Sequence, residues 1–376
     1  MKVLVSRSAV TKVQAAAIAT VIIVAAIAVA IYYVTLPGPA PPVATIKVGV
    51  LYPLTGAQAI VGRDQLNAFR LIIEETNAAG GIKSLGGAKI ELIIADHKGD
   101  PKIAASEAER LITEQKVHLL YGSYSSACTS TSSEVAERYG IPFHNPESSS
   151  PGLTERGFKW FFRTSPHDAV LVKGELDFVV DVIKKEGISL KTIGVVYENT
   201  LFGIDTMKFV KEYAPGLGFT VTLDLPYPAG AVDVSPEVLK VKAANPDILL
   251  MVSYLSDALL FTKTFKELKY WPKMYMANDA GQCNPEYIKT LGKDSNYIFS
   301  RENFCPDLGG TKPLIKEAND KFRARYGYDM DGAMARSYTG ALVMVDVLER
   351  AASLKPADIQ KAYQQTDWSE QKTPMP

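Results

Sequence analysis

The sequence predicts an α/β protein of two doubly wound parallel-sheet lobes in tandem, preceded by one membrane-spanning helix. Three observations carry this. From Thr45 onward, short apolar runs alternate with segments of helical periodicity, the pattern of a parallel sheet with right-handed crossovers. The rhythm restarts after "KWFFRTSP" (159–166), which divides the chain into two units, each about the size of one domain. Ahead of both lies "AAAIATVIIVAAIAVAIYYV" (15–34), uncharged and the length of a bilayer-spanning helix.

In the first unit the strand candidates are "TIKVGVLY" (45–52), "KIELIIA" (89–95), "VHLLY" (117–121) and "IPFH" (141–144). Leu66, Phe69, Ile73 and Thr76 recur at helical spacing, and "AAGG" ends that helix. Asp100 caps the next one and Pro101 opens it, with Ala104, Ala108, Leu111 and Ile112 on its inner face. In the second unit a helix over about 167–186 precedes "TIGVVYEN" (192–199), "FTVTLDL" (219–225), "DILLMVSY" (247–254) and "KMYMAN" (273–278), each followed or preceded by a helix. From Lys312 the chain reads as mostly helical.

The amino end carries Lys2, Arg7 and Lys12 and no acidic residue before Asp64, so residues 1–12 read as a cytoplasmic stub and the remainder as extracytoplasmic. Residues 13–35 read as an anchor, or as a signal removed on secretion. "LPGPAPP" within 36–45 reads as a stiff spacer. With 41 basic and 41 acidic residues there is no net field to recruit nucleic acid. Cys128, Cys283 and Cys305 match no metal spacing; Cys283 and Cys305 could pair outside the cell, and spacing alone does not decide it.

In open parallel sheets ligands bind beyond the carboxyl ends of strands. At one such end, eight of the eleven residues after Gly122 carry a Ser or Thr hydroxyl ("SYSSACTSTSS"). Ser125 and Ser126 fall at a helix start, where free N–H groups favour an anion, so the segment reads as an anion cradle. "HNPESSS" adds Ser148, Ser149 and Ser150 at a neighbouring end. In the second unit the ends offer Phe202, Tyr254 and Asp279, suiting a small ligand with one anionic and one cationic end. Nucleophile-elbow, metalloprotease and phosphate-loop motifs do not occur in the sequence, so no catalytic residue, metal or cofactor is assigned.

These residues resemble the type I solute-binding proteins of ABC importers, especially the branched-chain amino acid (leucine/isoleucine/valine) group. "IKVGVLYPLTGAQAIVGRDQLNAFRLIIEETNAAGGI", "DHKGDPKIAASEAERLITEQKVHLLYGSYSSA", "IPFHNPESSSPGLTERGFKWFFRTSPHDA" and "SYTGALVMVDVLERA" carry the likeness, over about 46–353. The resemblance implies periplasmic binding protein type I lobes joined by a hinge, with residues 46–163 plus 301–376 as the first lobe and 164–300 as the second. It implies that Ser126, with Ser125, binds a ligand carboxylate and that Ser148 and Ser150 add contacts. It places the ammonium on Asp279, an aromatic wall at Tyr254, and the side-chain pocket at Val61 and Tyr124. The partner it implies is a membrane permease, which reads the form closed over the ligand by bending at Arg163–Ser165 and Ser300–Glu302.

Two departures loosen the ligand assignment. Phe202 stands where the family often has tyrosine and Asp279 where the nearest relatives have glutamate, so an amide, urea or aromatic acid stands beside a branched-chain amino acid. The resemblance also reads "TDWSEQKTPMP" as stopping before the family's last strands. Two rivals are an α/β enzyme acting on a small acid and a ligand-sensing ectodomain. The first lacks catalytic motifs, and the second has only a twelve-residue stub for its output.

Overall fold

The computed structural model describes residues 45–375, together with helical residues 16–17, 19–21 and 23–26. The stub at 1–12, most of the predicted span and nearly all of the spacer lie outside the described residues. Among the described residues no helix is long and apolar enough to cross a membrane.

The first sheet comprises β1 (Ile46–Tyr52), β2 (Ile90–Asp96), β3 (Leu119–Gly122), β4 (Phe143–Asn145) and β5 (Phe161–Arg163), in spatial order β2-β1-β3-β4-β5. All its pairings are parallel; Val48 faces Leu92 on one side and Leu119 on the other. The helices are α1 (Ala59–Ala78), α2 (Pro101–Thr113), α3 (Ser126–Tyr139) and the short α4 (Gly152–Glu155). The predicted cap is present: the Asp100 carboxylate accepts from the Lys102 and Ile103 amides, and Pro101 occupies the first turn.

The chain then builds a second five-stranded parallel sheet in the order β10-β9-β8-β6-β7. Its strands are β6 (Thr192–Glu198), β7 (Thr220–Tyr227), β8 (Ile248–Val252), β9 (Met274–Ala277) and β10 (Ile298–Ser300). Helices α5 (Asp168–Glu186), α6 (Leu201–Tyr213), α7 (Ser235–Ala244), α8 (Leu255–Glu267) and α9 (Pro285–Leu291) accompany it. Then follow α10 (Pro313–Tyr326), α11 (Gly332–Ala351) and α12 (Pro356–Gln364). The two three-residue edge strands, β5 and β10, were not expected. Each is too short to show a period and lies where the sequence suggested only a connection.

Helix α11 belongs to the first lobe by its packing. Tyr121 Oη donates to Ser337 O at 2.8 Å, and the Tyr52 and Ser337 hydroxyls lie 2.8 Å apart. Phe69 from α1 stacks on Tyr121 with ring centroids 3.9 Å apart. Gly340 makes the approach possible, because a Cβ there would stand 2.4 Å from Tyr121 Oη. Most of α11 is buried, so a charged residue on it faces the interior unless it has a partner, a condition that matters at Arg336.

Candidate functional site

The carboxyl ends of both sheets converge on one cleft, as strand topology requires of a ligand site. From the first lobe it is lined by Tyr124 and Ser126 after β3 and by Glu147, Ser148 and Ser149 after β4. From the second come Phe202 on α6, Tyr254 after β8, and Asp279 with Ala280 after β9. Arg301, just past β10, and Arg336 on α11 complete the wall. The enclosed space is about 30 Å3, room for about one water. Ligand-holding pockets run to roughly 300–1,000 Å3, so a ligand enters only when the lobes part or the cleft side chains move.

Among the residues expected at the site, Tyr124, Ser126, Ser148, Phe202, Tyr254 and Asp279 line this cleft together. Ser125, Ser150 and Val61 are not in its lining. Ser125 is the buried residue just before α3, and its side chain neighbours the Tyr254 hydroxyl. Ser150 donates to Asp205 Oδ2 across the lobes at 2.5 Å, while its amide donates to Ser126 Oγ at 3.3 Å. Val61 packs on the inner face of α1, in the same apolar cluster as Tyr124, Phe202 and Tyr254.

Most of the hydroxyl-rich stretch is not an anion cradle. Ser132 donates to Cys128 O at 2.7 Å, Ser133 to Thr129 O at 2.5 Å and Thr131 to Pro101 O at 2.6 Å. These are back-bonds to the preceding turn and to a neighbouring helix, the usual fate of Ser and Thr inside a helix. Ser148 Oγ lies 2.7 Å from Thr129 Oγ1, and Asn145 Nδ2 donates to Gly122 O and Ser123 O at 2.9 and 3.0 Å. That network fixes the two loops. It leaves Ser126, at the first residue of α3, as the hydroxyl of the run that reaches the cleft.

Sequence reasoning missed the two arginines. Arg336 donates to Glu147 at 2.5 and 2.9 Å, to Glu302 at 2.9 Å and to Asp279 Oδ2 at 3.0 Å. Arg301 donates to Glu175 at 3.0 Å and to Asn278 at 2.8 Å, and its Nη1 is 3.4 Å from Asp279 Oδ2. Asp279 is therefore not a free negative group. Burial alone would push its carboxyl up, but the guanidiniums of Arg336 and Arg301 outweigh that and hold it below its ordinary value. Burial wins at Glu302, pushed up to about 7 with the Asp279 charge beside it, and at Glu175, also pushed up to about 7. The signal for Arg336 was legible as a lone charge inside the apolar helical stretch "GAMARSYTGALVMV".

Three rings form the apolar wall. Tyr124 and Tyr254 centroids are 5.3 Å apart, and Phe202 and Tyr254 centroids 5.7 Å. The Tyr124 hydroxyl is buried with no partner, a polar atom available to a ligand. Asp279, Cys283 and Glu302 bring one donor atom each within 4.8 Å of one another, but guanidiniums already hold the two carboxylates, so the set does not suit a metal.

Two parallel-sheet lobes whose strand ends share one cleft define a two-lobed solute-binding protein. Comparisons with known proteins agree. The family profile described as periplasmic binding protein matches residues 45–375. The Leu/Ile/Val-binding protein homolog 8 of Brucella abortus (strain 2308) is 30% identical over 332 residues, covering 86% of this chain and 81% of that protein. The branched-chain amino acid transporter substrate-binding protein LivJ of Streptococcus pneumoniae, solved with isoleucine, superposes with a TM-score of 0.76 at 21% identity, covering 88% of this chain and 91% of that one. A solute-binding protein of an ABC transporter from Rhodopseudomonas palustris BisB5, solved with 3,4-dihydroxybenzoic acid, gives 0.75 at 20% identity, covering 88% and 87%. The chain belongs to the periplasmic binding protein family, in its type I branched-chain amino acid group. It is a binding protein and not an enzyme, and membership implies an extracytoplasmic location.

Proposed function

We propose that this chain is the binding component of an ABC importer that holds a small amino acid between its lobes and delivers it to a membrane permease, tethered by residues 13–35 and the spacer after them. The observation that carries the reading is the pairing of Ser126 and Tyr124 from one lobe with Asp279 from the other in one cleft. A carboxylate suits Ser126 and the start of α3. An ammonium suits the other end because the buried carboxylates Glu147, Glu175, Asp279 and Glu302 outnumber the two guanidiniums bound to them. Micromolar affinity needs about −8 kcal/mol, within reach of a few charge-assisted hydrogen bonds plus apolar burial against the three rings. Contact with both lobes is what lets a ligand favour their closure.

A second reading, a carboxylic acid without an ammonium, is favoured by one observation: Arg336 and Arg301 already occupy Asp279 Oδ2. Calorimetric titration with isoleucine, leucine, valine and 3,4-dihydroxybenzoate separates the two. Saturable heat with an amino acid, lost on Ser126→Ala and on Asp279→Asn, supports the first reading. Binding of the benzoate alone supports the second. Heat from none of them refutes both.

A further inference from the structure

A second cavity shares Pro166, Leu171 and Arg301 with the cleft and continues past them between α5 and the edge strand β10. Its space is about 640 Å3, against about 30 Å3 in the cleft, and so falls in the range of ligand-holding pockets. The walls are apolar and open to solvent: Val170 is 59% exposed, Phe178 42%, Phe299 41% and Leu308 49%. Phe178 of α5 and Phe299 of β10 pack on each other with ring centroids 5.8 Å apart and form one continuous aromatic surface of the lining.

One polar group in this lining has no partner. Glu175 Oε1 accepts from Arg301 Nε at 3.0 Å, but Oε2 is buried without any hydrogen bond, and the residue is only 3% exposed. An orphaned carboxylate oxygen is costly to bury. The small void behind Glu175 is lined by Leu176, Val179, Ile193, Ile248, Leu250 and Met276 and offers it no polar side chain. The cavity between α5 and β10 is the side from which a donor can reach it. Glu302, which also lines the cavity, is held by Arg336, and Arg301 takes only Oε1 of Glu175, so the acceptor left for a cationic donor is Glu175 Oε2.

We propose that this cavity is a second ligand site, for a small hydrophobic primary amine whose ammonium pairs with Glu175 and whose apolar body lies against the paired rings of Phe178 and Phe299. Burial pushes the Glu175 carboxyl up to about 7, and an ammonium beside it would favour the ionised form. The amine is distinguished from a cleft ligand by the residues it depends on. Phe299 lines this cavity and not the cleft, whereas Ser126 lines the cleft and not this cavity.

The test is calorimetric titration of the full chain with 2-phenylethylamine, and with 3-phenylpropanoate as the probe of similar size and opposite charge. The expected result is saturable amine binding that Phe299→Ser weakens about tenfold or more, that Glu175→Gln abolishes and that Ser126→Ala leaves unchanged, with no phenylpropanoate heat dependent on Phe299. Both rings are partly exposed, so Phe299→Ser keeps the experiment informative where Glu175→Gln fails to fold. Absence of amine binding overturns the proposal. So does amine binding that survives Phe299→Ser, or that is lost on Ser126→Ala, or that phenylpropanoate reproduces through Phe299.

Discussion

Arg336 Nη2 donates to Asp279 Oδ2 at 3.0 Å, joining α11 of the first lobe to the loop after β9 of the second. The same guanidinium holds Glu147 and Glu302, so a single cation organises three buried carboxylates at the meeting of the lobes. Removing one partner of a buried ion pair leaves uncompensated charge, which costs far more than the pair contributes. Arg336→Met is therefore expected to lower the unfolding free energy by about 3–5 kcal/mol. Urea denaturation at neutral pH measures it, and a loss well under about 1 kcal/mol would show that water, rather than Arg336, compensates these carboxylates. Arg336→Lys should recover only part of the loss, because one ammonium cannot reproduce a fork that grips Glu147 through two nitrogens.

The same cluster sets the pH dependence. Burial pushes Asp168, Glu175 and Glu302 each up to about 7. A carboxyl whose folded value lies above its unfolded value binds more protons when folded, so its contribution falls as pH rises between the two values. The window runs from about 4, where the unfolded carboxyls titrate, to about 7. Asp279, held below its ordinary value, acts in the opposite sense, but only at the acid edge of that window. The melting temperature should thus be higher near about pH 5.5 than near about pH 8, and Glu175→Gln should flatten the difference. A melting temperature that instead climbs steadily from pH 5.5 to 8 contradicts this account.

The fold was largely legible, and the site only in part. Eight of the ten strands lie on apolar runs that the sequence displays, and the Asp100-Pro101 cap was exact chemistry for a helix start. The exceptions, β5 and β10, are edge strands whose pairing is set by a neighbour and not by their own three residues. At the site, topology placed Ser126, Ser148, Phe202, Tyr254 and Asp279 at strand ends, and the family resemblance added Tyr124. What could not be read was pairing. The sequence gives no distance between Asp279 and Arg336, 57 residues apart, and so presented as a free carboxylate one that two arginines neutralise. Nor could the hydroxyl run disclose that Thr131, Ser132 and Ser133 spend their bonds within the first lobe.

Close backbone approach makes a further prediction at the start of α6. A Cβ on Gly203 would stand 2.1 Å from the Glu198 carbonyl oxygen, and the Gly203 amide donates to Glu198 Oε1 at 2.8 Å. Both groups are backbone or buried, so neither can swing aside. Gly203→Ala should destabilise by about 1–3 kcal/mol or more and displace Phe202 from the aromatic wall, weakening cleft binding as well. Gly216, where an added Cβ meets nothing within 4 Å, is the control: Gly216→Ala should change stability by no more than about 0.5 kcal/mol. Equal effects at the two positions would remove the steric argument.

The cysteines give a prediction that needs no ligand. All three are free thiols, so the Cys283–Cys305 pairing that the sequence left open is not formed. Cys128 is fully buried and its thiol is pushed up to about 12 by that burial. Cys283 Sγ lies 2.9 Å from Ser300 Oγ and 3.2 Å from Arg301 O, and its thiol is also raised by burial, with the Glu302 and Asp279 charges adding to the shift. Reactivity follows thiolate character and exposure, which leaves Cys305 as the thiol a reagent meets first. Native protein treated with a maleimide should take up one equivalent quickly, mapped to Cys305 by mass spectrometry, a second slowly at the half-buried Cys283, and the third, at Cys128, only after unfolding. A native chain that takes up none, and yields two more thiols after reduction than before it, would instead carry the disulfide. Ligand closure of the cleft should slow labelling of Cys283 further, since its partners Ser300 and Arg301 lie where the chain returns toward the first lobe.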